Sequence, residues 1–159
     1  MDVTRKEFLG LTAASGAALI LGAQVMAAPA PVAQRKIPKS GEMLPVIGLG
    51  TARTFDVEGT PEELAPRKEV LRRLFEGGGS VVDSAPSYGE AERIVGELLS
   101  SLGARDKAFI ATKITTRGDR DEGIQSMKDS ATRLKTDHFE LMQVHNLKNL
   151  KTHLKSIRE

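Results

Sequence analysis

The chain has no cysteine, no tryptophan and a single tyrosine among its 159 residues; aromatic side chains make up only 4% of it. Without cysteine there are no disulfides, no thiolate metal sites and no cysteine nucleophile, and the redox compartment is left open. Nothing in the sequence points to a metal. Charge of one sign is also scarce in bulk. The net charge is +2, and no run of five or six like charges occurs. No basic stripe is interleaved with aromatics, so nucleic-acid binding has little support. A glycine-rich dinucleotide fingerprint of the Rossmann kind is missing too. Gly48-x-Gly50 is only a fragment of one, and Gly77 to Gly79 precede a strand rather than follow it.

What is present is ordinary globular material, 40% hydrophobic and 28% charged, enough for one modest domain. The first thirty residues differ from the rest. Arg5 and Lys6 are followed by an uncharged run from Phe8 to Gln34, rich in Ala, Gly and Leu. A charged start, an apolar middle and small residues at the end is the plan of an export signal. Thr4-Arg5-Lys6-Glu7-Phe8-Leu9-Gly10 resembles a twin-arginine signal, with Lys6 in place of the second arginine. Cleavage is expected after Ala27, giving a periplasmic protein with no stable membrane insertion once the signal is removed. The alternative is an uncleaved membrane anchor, since the run is long enough to span. The expected organisation is a signal over residues 1–27, a linker over 28–35 and a folded domain over 36–159.

Along the domain, Ser40-Gly41-Glu42 reads as a turn between Lys36 to Lys39 and Met43 to Val46. Both runs contain proline, which suits a small edge hairpin. Short apolar strands and amphipathic helices then alternate. Strands are expected in PVIGLG, SVVDS, AFIATKI and FELMQVHNL. The first helix has Val70, Leu71, Leu74 and Phe75 on one face and stops at Gly77 to Gly79. In the second, Ser87 and Glu90 stand at capping-box spacing, Ile94, Val95, Leu98 and Leu99 form the apolar face, and Gly103 closes it. The third carries Ile124, Met127, Ala131 and Leu134 on one stripe. A fourth begins in NLKTHLKSIRE. Four successive βα units imply parallel strands and right-handed crossovers.

The strand ends are polar. They fall at Gly50-Thr51, Asp83, Lys113 and His145, about 30 residues apart. Parallel α/β units carry their chemistry on that rim. Tyr88, in the loop after the second strand, can lean over it. Each residue alone has an ordinary structural role: a helix cap, a surface aromatic, a solvated lysine, a turn histidine. Those roles do not predict equivalent positions in successive units. Together the residues make coherent chemistry. A phenol is a poor acid at neutral pH, and a nearby ammonium stabilises its phenolate. A carboxylate holds the ammonium, and a neutral imidazole donates to a carbonyl oxygen. Such a set protonates an oxygen that turns negative as hydride reaches its carbon, and only a cofactor can supply the hydride.

IPKSGEMLPVIGLGT, VVDSAPSYGEAE, FIATKI and LMQVHNL together resemble the aldo/keto reductases, (β/α)8 barrels that use NADPH. The Asp-x-x-x-x-Tyr-Gly motif, with Lys and His on the next two strands, is specific to the resemblance. It implies a TIM-barrel fold, present here as the hairpin and the first four βα units. It implies Tyr88 as proton donor, Lys113 as the cation that tunes it, Asp83 as the partner of Lys113, and His145 as the group that orients a small carbonyl substrate. Gly50, Thr51 and Asp83 are implied to lie against the nicotinamide end of NADPH or NADP+, and Asn146 to contribute on the substrate side. Such a barrel takes about 250 residues. The family's remaining strands supply a Ser-Asn pair for the carboxamide, a stacking aromatic and basic residues for the adenosine phosphate. These cannot be placed in this sequence, so a C-terminal half of the barrel is the expected partner. The chain alone is expected to be inactive, and to be marginally stable or to dimerise through its strand edges. Two other readings are a non-catalytic nucleotide-binding module and an inactive truncated fragment.

Overall fold

A computed structural model describes residues 32–115, 120–146, 150, 151 and 154. The predicted signal, its cleavage site and the first half of the linker lie outside these residues, as does most of the predicted fourth helix. Leu150, Lys151 and Leu154 are helical. Among the described residues no helix is long and apolar enough to cross a membrane.

The chain opens with an antiparallel hairpin, β1 (Gln34–Lys36) and β2 (Met43–Pro45), with Arg35 opposite Leu44. The first strand therefore starts inside the expected linker and ends where the sequence reading had it begin. Ile37 instead enters the turn, where its amide donates to the Glu42 carbonyl at 2.8 Å and its carbonyl accepts from Gly41.

Four parallel strands follow in sequence order: β3 (Gly48–Gly50), β4 (Val81–Asp83), β5 (Phe109–Ile114) and β6 (Leu141–Val144). Helices α1 (Pro61–Glu76), α2 (Ala91–Leu102) and α3 (Arg120–Leu134) make the crossovers. This is the βα alternation that the periodicity predicts. β5 is buried at every position except Lys113, which is partly exposed.

Helix α1 begins at Thr60 in a capping box. The Glu63 carboxylate accepts from the Thr60 and Gly59 amides at 3.0 and 2.9 Å, and Pro61 occupies the first turn, where no amide is needed. Those backbone bonds, Thr60 first, hold the Glu63 carboxyl below its ordinary range. Leu71 is fully buried, and Leu74 and Phe75 pack against the core. Val70, expected on the same face, is 45% exposed; it borders an open apolar hollow with Leu49, Phe55 and Pro66. The helix ends as expected at the glycines, with Gly78 in the left-handed region at φ 84°.

The apolar face of α2 is buried as predicted, with Ile94, Val95, Leu98 and Leu99 each at 3% exposure or less. Its N-terminus is not capped as predicted. Ser87 makes no capping bond; the amide of Glu90 donates to Asp56 Oδ1 at 3.0 Å instead. The predicted stripe on α3 is also rotated. Gly123, Ser130 and Leu134 are its buried residues, while Ile124, Met127 and Ala131 are half-buried. At its C-terminal end α3 comes close to α2. A Cβ on Gly96 would stand 2.3 Å from the Arg133 carbonyl oxygen. Beside this crossing, fully buried Glu92 accepts from Thr112 Oγ1 at 2.6 Å and pairs with Arg133 at 2.8 Å. One carboxylate thus ties α2, β5 and α3 together.

Candidate active site

Register and pleat decide which side chains meet. Asp83 lies opposite Gly50 and Ala111, and Lys113 lies opposite Gln143. Side chains two residues apart share a face, so Asp83, Lys113, Gln143 and His145 come out on one side of the sheet. Thr112, between them, turns to the other side and meets Glu92. The sheet therefore separates a helix-covered apolar face from a face that carries ionisable groups.

The Lys113 ammonium is bonded three ways. Asp83 Oδ1 and Oδ2 accept from it at 2.8 and 2.7 Å, and the Ser84 carbonyl at 2.7 Å. Its side chain is only 13% exposed, against 36% for Asp83. Removal from water is offset by this complete set of charge-assisted bonds. The Tyr88 ring lies 5.1 Å from Lys113 Nζ, within reach of a cation–π attraction. The His145 ring stands edge-on to it, with centroids 5.8 Å apart and planes at 83°. Among the described residues none hydrogen-bonds to the Tyr88 hydroxyl. Asp83, Tyr88, Lys113 and His145, drawn from three strand ends and one loop, therefore form a single cluster.

Tyr88 owes its place to two back-to-back turns. Its amide donates to the Ala85 carbonyl at 3.0 Å, and its carbonyl accepts from Ala91 at 3.1 Å. His145 follows β6, and its amide donates to the Ile114 carbonyl at 3.1 Å, which extends the β5–β6 ladder by one bond. Its Nδ1 lies 3.1 Å from Ser87 Oγ and 3.4 Å from Thr115 Oγ1.

The residues expected near a cofactor divide. Gly50 is exposed at the end of β3, and a Cβ there would meet nothing within 4 Å, so the space beside its backbone is open. Thr51 is fully buried. Its hydroxyl donates to the Asp83 carbonyl at 2.9 Å and lies 3.0 Å from Ser84 Oγ. It thus fastens the end of β3 to the end of β4 from beneath. Asn146 is exposed in a left-handed conformation at φ 54°, which asparagine tolerates. No described contact joins its side chain to the cluster.

Two participants escaped the sequence reading. Gln143 Nε2 donates to Asp83 Oδ1 at 3.2 Å, linking β6 to β4 across β5. Its position two residues before His145 was the available signal, since strand alternation puts both on one face. Ser87 was legible only as a cap; its contact with His145 depends on how the turn folds back.

The comparisons with known proteins bear on the fold and the family. The family model described as "Aldo/keto reductase family" matches residues 46–157. An aldo-keto reductase of Bacillus subtilis is 32% identical over 112 residues, covering 62% of this chain and 33% of its own. The NADPH-dependent codeinone reductase 1-3 of Papaver somniferum is 29% identical over 119 residues, covering 70% of this chain and 35% of its own. An aldo-keto reductase structure from Pseudomonas aeruginosa superposes with a TM-score of 0.70 at 23% identity, covering 84% of this chain and 59% of that one. The chain spans about a third of the length of the curated relatives it matches. The hairpin and four βα units are thus the first half of a TIM-type (β/α)8 barrel. With a family match that runs from just before β3 past His145, the chain belongs to the aldo/keto reductase family.

Proposed function

We propose that this chain carries the catalytic half of a nicotinamide-dependent carbonyl reductase, which converts an aldehyde or ketone to an alcohol. The observation that carries the reading is the packing of Tyr88 beside the Lys113–Asp83 pair and the His145 ring. A phenol whose hydroxyl has no hydrogen-bond partner among the described residues, next to a fixed cation, is equipped to give up a proton and to bear the charge left behind.

The residues present fit the nicotinamide end of NADPH. Gly50 leaves open space beside its backbone on the same rim where Asp83 and Lys113 emerge. When bound, the cofactor supplies the hydride that no side chain can. The chain's own residues do the rest. Tyr88 Oη gives its proton to the substrate oxygen. Lys113, held by Asp83 and the Ser84 carbonyl, places positive charge against the developing phenolate. Gln143 keeps the Asp83 carboxylate aimed at Lys113. With the Ser87 hydroxyl donating to Nδ1, the His145 ring proton sits on Nε2, where it can donate to the carbonyl and orient it.

The same reading assigns the adenosine phosphate grip to strands that complete the barrel, so turnover requires the C-terminal half. It also includes export through the N-terminal segment. Mass spectrometry of the protein from an export-competent host should then find Ala28 as its first residue, and an intact Met1 in the periplasm would contradict cleavage.

The function is tested by NADPH oxidation with small aldehydes. The chain is assayed alone and with its barrel completed by the matching half of a family relative. Turnover only in the completed barrel supports the proposal. Nucleotide binding with no oxidation of NADPH by any small carbonyl compound would instead favour a binding module.

A further inference from the structure

We propose that Asp56, in the loop after β3, is a positioning residue that sets the place of Tyr88. This rests on the reading of Tyr88 as the proton donor. The turn carrying Tyr88 is held from within by two bonds, Tyr88 to the Ala85 carbonyl and Ala91 to the Tyr88 carbonyl. Both lie along the turn; from outside it, Ser87 Oγ lies 3.1 Å from His145 Nδ1 on the side before Tyr88. On the side after Tyr88 the outside bond is made by Asp56. Asp56 Oδ1 accepts from the Glu90 amide at 3.0 Å, across 34 residues of sequence.

The carboxylate also fills the space beside Gly89. Gly89 sits in the left-handed region at φ 58°, and a Cβ there would lie 2.0 Å from Asp56 Oδ1 and 2.4 Å from its Cγ. Glycine after Tyr88 is therefore needed twice, for the backbone angle and for the approach of Asp56. One residue from outside the turn thus bonds and abuts the two positions that follow Tyr88.

Asp56 is itself well anchored. Its neighbour Phe55 is 2% exposed in the core. The Phe55 amide donates to Thr51 and its carbonyl accepts from Val57, each at 3.1 Å. The Arg67 guanidinium donates to the Thr54 carbonyl at 2.5 Å. The loop is fixed to the end of β3 through Thr51, which is bonded in turn to Asp83. The path from β3 to the Tyr88 turn is therefore a chain of short, defined contacts. It runs Thr51 to Phe55, then Asp56 to Glu90 and Gly89.

The test uses the full chain with labelled tyrosine and histidine. Tyr88 is the only tyrosine, so its ring gives one unambiguous signal. Three measurements are made: hydrogen exchange at the Glu90 amide, exchange at the core Ile110 amide, and cross-relaxation between the Tyr88 and His145 rings. Asp56→Ala is expected to speed Glu90 exchange at least about tenfold and to abolish the ring-to-ring signal, with Ile110 unchanged. Asp56→Asn, which keeps an acceptor oxygen in the same place, is expected to retain both. An unchanged ring-to-ring signal in Asp56→Ala, or its loss in Asp56→Asn as well, would overturn the proposal. If Asp56→Ala does not fold, the unaltered chain decides. A Glu90 amide protected well beyond open-loop rates supports the clamp, and open-loop exchange overturns it. None of these readouts needs nucleotide or turnover, so a failure of the reductase reading would show separately in the NADPH assay.

Discussion

Lys113 gives all three of its ammonium protons to Asp83 and the Ser84 carbonyl, and meets Tyr88 only across 5.1 Å to the ring centroid. Its influence on the phenol is therefore a matter of placed charge rather than of a shared hydrogen bond. Lys113→Met removes the charge and keeps much of the apolar stem. In the completed barrel it should lower carbonyl reduction about 10²-fold or more, the usual cost of removing one preorganised electrostatic group. The steady-state rate at saturating NADPH measures this. A loss below about threefold would mean that Tyr88 works without the cation.

Ser87 and Thr115 both approach His145 Nδ1, at 3.1 and 3.4 Å. Hydroxyls that donate there leave the proton on Nε2. Ser87→Ala should shift the balance between the two neutral tautomers, read from the ¹⁵N shifts of the His145 ring. It should also raise KM for the carbonyl substrate more than it lowers kcat. Unchanged ¹⁵N shifts would reduce Ser87 to a surface residue.

Much of this was legible in the sequence, for a physical reason. The βα rhythm comes from local periodicity, and the strand-end positions of Asp83, Lys113 and His145 follow from that rhythm alone. The misreadings occurred where a tertiary contact displaced a local one. Ser87 and Glu90 have capping-box spacing, yet Asp56 holds the Glu90 amide and Ser87 turns to His145. On α3 the apolar stripe suggested by Ile124 and Ala131 yields to Gly123 and Ser130, which are buried while those two are half-buried. Val70 belongs to an apolar face by spacing but borders an open hollow on the β3 side. Spacing shows which residues share a face; it does not show whether a neighbour covers that face.

Glu92 is fully buried with Arg133 as its only cationic partner among the described residues. Arg133→Met leaves that carboxylate with the Thr112 hydroxyl alone. Leaving a buried carboxylate without its cation typically costs about 3 kcal/mol or more, less whatever water reaches it past Arg133, whose side chain is 35% exposed. The variant should therefore lose about that much in urea unfolding, with the folded spectrum unchanged. A change below about 1 kcal/mol would show that the pair is energetically idle.

The four-stranded sheet presents β3 and β6 at its two ends. Exposed apolar residues stand near both, Ile47 at 57% before β3 and Leu141 at 43% on β6. Open edges flanked by apolar side chains invite pairing. The segment 28–159 should self-associate with increasing concentration in sedimentation velocity. A monomer that unfolds cooperatively across the same concentrations would contradict this.

The account turns on Tyr88 as the proton donor, and Tyr88→Phe tests it most directly. The substitution removes one oxygen and keeps the ring that packs against His145 and Lys113. With the barrel completed, NADPH oxidation by a small aldehyde should fall about 10²- to 10⁴-fold, the range for losing a general acid, while nucleotide binding is retained. Equal rates for Tyr88→Phe and the unaltered protein would contradict the account.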